Sequence, residues 1–401
     1  MAMISPDHKK YLIGNYASPA FEIVRGEGTK LWDAEGREFL DFTSGIAVTN
    51  LGHCHPHWTE QVAKQAEKIV HCSNLFSIPE QVRLAKRLVS EIGPGKMLFC
   101  NSGAEANEGL IKFARLASEL PEFEGKHKIL VAENAFHGRT MGALSATHSP
   151  KYRKGFEPLL GGFEFAPLND LDAFERKLDD ETIAVFIEPI QGEGGIHEAK
   201  DDFLQGLERL CRERKALFML DEVQSGIGRT GNFLAYGQSG ITPDAVALAK
   251  GLGGGFPIGA FWISEQYSEV FKPGSHGTTF GGSPLACAAA HAVLDVIEKE
   301  DLVKAAREKG LALREGLFRL VERFPSILVE VRGRGLMLAL ALKDDPADLI
   351  ASLRDRGLLV VGAAGNSIRF LPPLNASDAE IQKALNVTEE ALTAFQTKKS
   401  E

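Results

Sequence analysis

The sequence predicts an α/β protein, with a large domain whose mainly parallel sheet is flanked by helices and a smaller α+β domain after it. Three observations predict this. Short apolar runs at Lys128 to Ala132, Ala184 to Glu188, Leu217 to Leu220 and Ala245 to Ala249 alternate with amphipathic stretches, the pattern of βαβ units. The runs carry no polar alternation, as strands covered on both faces require. Finally, 401 residues exceed what one small core serves, so a second unit is expected.

Taken in chain order, the first fifty or so residues hold short strand-like pieces at Phe21 to Val24, Lys30 to Trp32 and Glu38 to Phe42, separated by glycine turns such as Glu35-Gly36. A helix is expected over Trp58 to Ile69. The strand-helix alternation follows. From Ser283 to about Phe324 breakers are scarce and helices are predicted, with Pro325 closing the last of them. Ile327 to Val331, Leu336 to Leu342, Leu358 to Val361 and Ile368 to Leu371 are strand candidates of the small domain, and Thr397 to Glu401 reads as a frayed end.

Composition narrows the function classes. The net charge is -9 and no Lys/Arg-rich block occurs, which argues against nucleic acid and anionic membranes as partners. The opening Met1 to His8 lacks the apolar core of a signal peptide, and no apolar run approaches the length of a membrane span. A soluble, cytoplasmic protein is expected. Five cysteines are scattered without a Cys-x-x-Cys pair, so neither a disulfide framework nor a zinc ribbon is indicated. His53, Cys54, His55 and His57 tempt as metal ligands, but Pro56 breaks any strand that would align them. No metal is expected.

Lys250 is the most informative residue. It stands between the apolar run Ala245 to Ala249 and Gly251-Leu252-Gly253-Gly254-Gly255. Burial there would lower its pKa from about 10.4, which suits an amine that must form a Schiff base; the ordinary alternative is a strand-end lysine with its head in water. Asp221 supplies a partner, placed where the apolar strand Ala216 to Leu220 ends. Ligands of open α/β sheets gather at that end, and a carboxylate there can cap a helix, bind a metal or pair with a protonated pyridine nitrogen. A third element favours the last. Ser102, Gly103 and Ala104 follow the apolar Met97 to Cys100 and open a helical pattern, a turn suited to holding a phosphate. Together these describe a site for pyridoxal 5'-phosphate.

At this point the chain resembles the class III (subgroup II, ornithine-type) aminotransferases. The matching stretches are Gly45 to Val48, Gly52-His53-Cys54-His55-Pro56, Asn101 to Glu108, Phe136-His137-Gly138-Arg139-Thr140, Glu188 to Gly195, Asp221 to Gly231, the Lys250 segment, His276 to Gly282 and Arg369 to Leu374. They span nearly the whole chain in family order. The resemblance implies fold type I (aspartate aminotransferase-like), with residues 1–55 packing with the small domain, 56–290 forming the large cofactor-binding domain and 291–401 the small domain. It places the His53 to His57 loop near the active-site entrance.

The resemblance also implies roles. Lys250 would hold the cofactor and shuttle the proton; Asp221 would keep the pyridine nitrogen protonated; Gln224 would bond the ring hydroxyl; Val223 and Phe136 would cover the two ring faces, unless they are ordinary core residues. Ser102, Gly103, Ala104 and Thr279 would hold the phosphate, Thr279 reaching across from a second subunit, so a homodimer is implied. Thr278 matches a position that touches the amino substrate. Arg139 and Arg369 would clamp the carboxylates of an ω-amino donor and of 2-oxoglutarate, since planar arginines suit carboxylates, and Glu193 would cover Arg369 while the donor is bound. One departure stands out: the family's Gly-Gly-Asn-Pro is Gly281-Gly282-Ser283-Pro284 here. Arg332 and Arg334 are rival clamps, though a solvated loop suits them better.

Other readings compete. Gly226-Ile227-Gly228-Arg229-Thr230-Gly231 is a literal G-x-G-x-x-G after a strand, which would suit a nicotinamide dehydrogenase if a helix followed. Gly231 to Gly237 is a poor helix start. Within the family a racemase on the same scaffold is a rival, and the donors N2-acetylornithine, succinylornithine, ornithine, succinyldiaminopimelate and 4-aminobutyrate are separated weakly; the wording at Asn74-Leu75-Phe76 and Phe136 to Thr140 favours the first.

Overall fold

The computed structural model describes residues 6–17 and 19–400. Its central sheet has seven strands in the order Gly95–Cys100, Gly259–Ser264, Ala245–Leu248, Leu217–Asp221, Thr182–Ile187, Lys128–Ala132 and Phe163–Ala166. All neighbours are parallel except Gly259–Ser264, which runs antiparallel to both of its own. Thr182–Ile187, Leu217–Asp221 and Ala245–Leu248 are buried along their whole length, which is why they read as unbroken apolar runs. Gly259–Ser264 and Phe163–Ala166 went unread in the sequence, because each adjoins a glycine-rich turn that masks its start.

Helices cover both faces of this sheet. Gly103–Ala117 follows the first strand and buries Ala106, Leu110, Ile111, Phe113 and Ala114. The helices Pro284–Lys299 and Leu302–Arg323 occupy the breaker-poor stretch as expected, the second ending just before Phe324 and Pro325. Pro56 turns out to start a helix, Pro56–Ala66, at the first helical position where its missing N–H costs nothing. Trp58 is therefore inside that helix rather than its first residue.

A second sheet pairs Leu328–Arg334, Met337–Leu342, Ser367–Phe370 and Val361–Ala363, all antiparallel. A third joins Ile23–Glu27, Lys30–Asp33 and Glu38–Asp41 to Leu358–Leu359. The single strand expected over Leu358 to Val361 is thus two pieces serving two sheets. The first strand also lies later than Phe21 to Val24. Phe21 instead stacks on Phe39 at 4.5 Å between ring centres, and the hairpin turns at Gly28 with φ of 55°. At the far end the helix Asp378–Ser400 continues through the stretch read as frayed; Glu401, like the first five residues, lies outside the described residues. Among the described residues no helix is long and apolar enough to cross a membrane.

Candidate active site

The carboxyl ends of the parallel strands meet at a cleft of about 210 Å³ lined by Gly103, Ala104, Asn107, Phe136, His137, Gly138, Arg139, Glu188, Asp221, Val223, Gln224 and Lys250. Residues from five segments far apart in sequence converge there. Lys250 enters because the strand Ala245–Leu248 ends two residues earlier and Lys250 itself takes φ of 46°, a left-handed conformation that a β-carbon disfavours and that functional turns tolerate. Burial pushes its amine down to about 8, against the pull of Glu193 and with the help of Arg369. A neutral amine is thereby within reach near neutral pH.

Asp221 is the last residue of its strand and 4 % exposed. Its Oδ2 accepts from Asn107 Nδ2 at 2.7 Å and from His137 Nδ1 at 2.8 Å, while Oδ1 accepts from the Val223 amide at 2.9 Å. The His137 ring in turn stacks on Phe186 at 4.0 Å. A carboxylate so fixed cannot swing toward solvent. Its neighbour Glu222 turns away from the cleft to accept from Ser225 Oγ and the Tyr236 amide, and burial lifts its carboxyl to about 7.

The helix Gly103–Ala117 is capped by Ser102, whose Oγ accepts from the Glu105 amide at 3.1 Å, and the Glu105 carboxylate reaches back to the Asn101 amide at 2.6 Å. Ser102 is therefore committed to the cap. The amides of Gly103 and Ala104 belong to the first turn, where no carbonyl within the helix can accept from them. A β-carbon at Gly103 would come within 2.5 Å of Val223 Cγ1, and one at Gly138 within 2.8 Å of Ala104 Cβ. The concavity depends on those two glycines.

At the cleft's edge Arg369, 1 % exposed, makes a bidentate pair with Glu193 at 2.6 and 3.0 Å. The same guanidinium donates to Gln224 Oε1 at 3.2 Å and to the carbonyls of Gly192 and Gly362. Arg139 is exposed and lies over the Tyr152 ring at 4.1 Å. Thr278 is engaged locally, its Oγ1 accepting from Asn101 Nδ2 and the Gly281 amide, each at 3.2 Å. Thr279 is exposed and does not line the cleft of its own chain.

One sequence reading needs correction. Arg332 and Arg334 are neither clamps nor a solvated loop: they belong to the strand Leu328–Arg334 and donate to the Gly195 and Ala235 carbonyls. The histidines at 53, 55 and 57 face Asp41, Glu300 and Asp295 and none lines the cleft. The G-x-G-x-x-G stretch precedes no helix; turns and a short 3-10 segment, Ala235–Gln238, follow it, and the wholly buried Arg229 donates from it to Asn50 Oδ1 and the carbonyls of Leu336 and Pro372. The turn lacks the helix N-terminus on which a dinucleotide's pyrophosphate would rest. Ser283, the departure from the family wording, caps its helix by accepting from the Ala286 amide at 3.4 Å.

Asn107, His137, Glu188 and Tyr152 received no role from the sequence. A signal for Glu188 was present, since it closes an apolar strand just as Asp221 does. Asn107 was also legible as a lone amide on an apolar helix face.

The model of aminotransferase class-III matches residues 13–392. This chain is a class-III aminotransferase. It is 47 % identical to the acetylornithine aminotransferase of Caldanaerobacter subterraneus over 96 % of this chain and 98 % of that protein, and 48 % identical to that of Aquifex aeolicus over 95 % and 100 %. Among solved structures, the ornithine aminotransferase of Toxoplasma gondii superposes with a TM-score of 0.94 at 34 % identity, covering 98 % of this chain and 94 % of that one. The acetylornithine aminotransferase of Elizabethkingia anophelis gives 0.86 at 34 % identity, covering 97 % of each. Class-III aminotransferases use pyridoxal 5'-phosphate. The cleft fits that group: it offers one amine lowered to about 8, a fixed carboxylate, and first-turn amides kept open by Gly103 and Gly138.

Proposed function

We propose that the enzyme moves the δ-amino group of N2-acetyl-L-ornithine to 2-oxoglutarate by a ping-pong reaction, yielding N-acetyl-L-glutamate 5-semialdehyde and L-glutamate, in the cytoplasm and within arginine biosynthesis. The Glu193–Arg369 pair beside Lys250 carries the reading of two alternating substrates. A donor with one carboxylate meets Arg139 as the exposed cation, because Arg369 is already neutralised. A dicarboxylate supplies a second anion and can take Glu193's place on Arg369. Acetylation of the donor's α-amine leaves one reactive nitrogen, at the far end from the donor's carboxylate. The choice of this donor rests on likeness to the acetylornithine aminotransferases.

When bound, the cofactor supplies the electron sink that stabilises negative charge at the substrate carbon. The chain's own residues do the rest. Asp221 holds a proton on the ring nitrogen, with Asn107 and His137 fixing its Oδ2. Gly103 and Ala104 amides, with the Ser102 cap behind them, receive the phosphate. Phe136 and Val223 confine the ring, and Gln224 orients its hydroxyl. Lys250 binds the cofactor and later, as a free amine, moves the proton at the reacting carbon.

Thr279 and Thr278 complete the site across a homodimer in this reading. Asn74 donates to the Gly281 carbonyl at 3.0 Å, which ties the segment of Leu75 and Phe76 to that of Thr279 and Phe280, and the three apolar side chains are 87, 69 and 61 % exposed. Apolar surface of that kind is suited to burial against a second copy. Steady-state comparison of acetylornithine, succinylornithine, ornithine, 4-aminobutyrate and succinyldiaminopimelate tests the substrate. Acetylornithine is expected to have the highest kcat/KM; a higher value for another donor would reassign it.

A further inference from the structure

We propose that Glu188 is the positioning residue that holds the two carboxylate-recognising elements at a fixed distance, resting on the dual-substrate reading above. Glu188 follows directly on the strand Thr182–Ile187 and is 5 % exposed. Its Oε2 accepts from the Phe136 amide at 3.0 Å and its Oε1 from the Gly192 amide at 3.2 Å. Phe136 opens the turn that carries Arg139; Gly192 precedes Glu193. One carboxylate therefore spans both turns.

The connection continues through the Gly192 backbone. While the Gly192 N–H donates to Glu188, the Gly192 carbonyl accepts from Arg369 Nη1 at 3.3 Å. Glu188, Gly192 and Arg369 thus form a hydrogen-bonded chain, and a shift of the Glu188 head displaces the residue whose carbonyl holds Arg369 and whose next neighbour is Glu193. A parallel tie runs from Gln191 Nε2 to the Glu133 carbonyl at 2.7 Å. Space leaves the Gly192 turn little alternative: a β-carbon there would lie 2.4 Å from Gln224 Nε2.

The chemistry of the span requires a carboxylate. Both partners are N–H donors, and the two oxygens of one carboxyl group offer an acceptor to each. A glutamine offers one oxygen and one NH2, so one backbone donor would face another donor. An aspartate keeps both oxygens on a shorter stem and reaches one turn only. Burial beside Asp221 holds the Glu188 carboxyl well above the ordinary carboxylate range, and the two amide donors oppose that tendency.

Glu188→Gln and Glu188→Asp are compared with wild type in three measurements. In steady state, KM for acetylornithine and KM for 2-oxoglutarate are each expected to rise about tenfold, with kcat changing much less. By calorimetry, glutarate, an unreactive dicarboxylate, should bind both variants about tenfold more weakly than wild type. In wild-type hydrogen exchange, peptides covering Phe136 and Gly192 should be protected although neither residue lies in a helix or strand. Unchanged KM and glutarate affinity in folded variants would overturn the proposal, as would a fall in kcat alone. If neither variant folds, exchange decides, and rapid exchange of either amide overturns it. Wild-type protein inactive with every donor would instead defeat the proposed function, a result distinct from all of these.

Discussion

Replacing Glu193 with glutamine should tighten the enzyme's hold on 2-oxoglutarate while loosening its discrimination between substrates. In the resting site the guanidinium of Arg369 is bound by two charge-assisted contacts of 2.6 and 3.0 Å to Glu193, and an incoming dicarboxylate must displace them. A charged hydrogen bond contributes about 1.5–3 kcal/mol. Glutamine keeps one acceptor and loses the charge, so the competition should weaken by about that amount, a factor of roughly 10–100 in affinity. Arg369 retains the Gly192 and Gly362 carbonyls and Gln224 Oε1, which keeps its charge hydrogen-bonded. The donor should suffer in the opposite sense, because its single carboxylate can now reach Arg369 and bind with the amine misplaced. Initial rates over a matrix of both substrates measure this: a lower KM for 2-oxoglutarate and substrate inhibition by acetylornithine are expected. Single-turnover half-reactions separate binding from chemistry. An unchanged 2-oxoglutarate KM without donor inhibition would refute the gating role of Glu193.

Three further perturbations probe other parts of the structure. Lys250→Met should abolish turnover and stabilise the cofactor-free protein at pH 7, by about 3 kcal/mol, because the amine falls from 10.5 to about 8 on folding. The unfolded chain holds more protons across that interval, so wild-type stability rises from pH 8 to 10.5 and the variant's advantage shrinks; denaturant unfolding at pH 7 and 10 giving equal advantages would contradict the lowered amine. Gly103→Ala puts a β-carbon 2.5 Å from Val223 Cγ1, and cofactor affinity measured by titration should fall about tenfold while the cofactor-free fold survives; wild-type affinity would mean the turn is not the phosphate seat. Arg229→Met leaves acceptors on Asn50, Leu336 and Pro372 unpaired and should cost about 3 kcal/mol or more, seen as a lower Tm, whereas an unchanged Tm would show that those acceptors find other donors.

Much of this molecule is legible in its sequence, for reasons rooted in local chemistry. Strands buried on both faces have to be apolar throughout, so Leu217–Asp221 and Ala245–Leu248 announced themselves, and a lone ionisable group at the end of such a strand marks the place where a ligand can meet charge. Lys250 and Asp221 are legible for that reason, whereas the cap that Ser102 makes came only with the structure. Motif wording gave Arg139, Glu193 and Arg369 their candidate roles. What tertiary structure alone decided was which groups touch. Asn107 and His137 fix Asp221 from a helix and a turn 114 and 84 residues away, and Leu358–Leu359 leaves its neighbour Val361–Ala363 to join the N-terminal strands. The two turns bridged by Glu188 are likewise brought together only by folding. Periodicity and burial act on neighbours along the chain, whereas hydrogen-bond partners across a site depend on distances that exist only after the sheets have assembled.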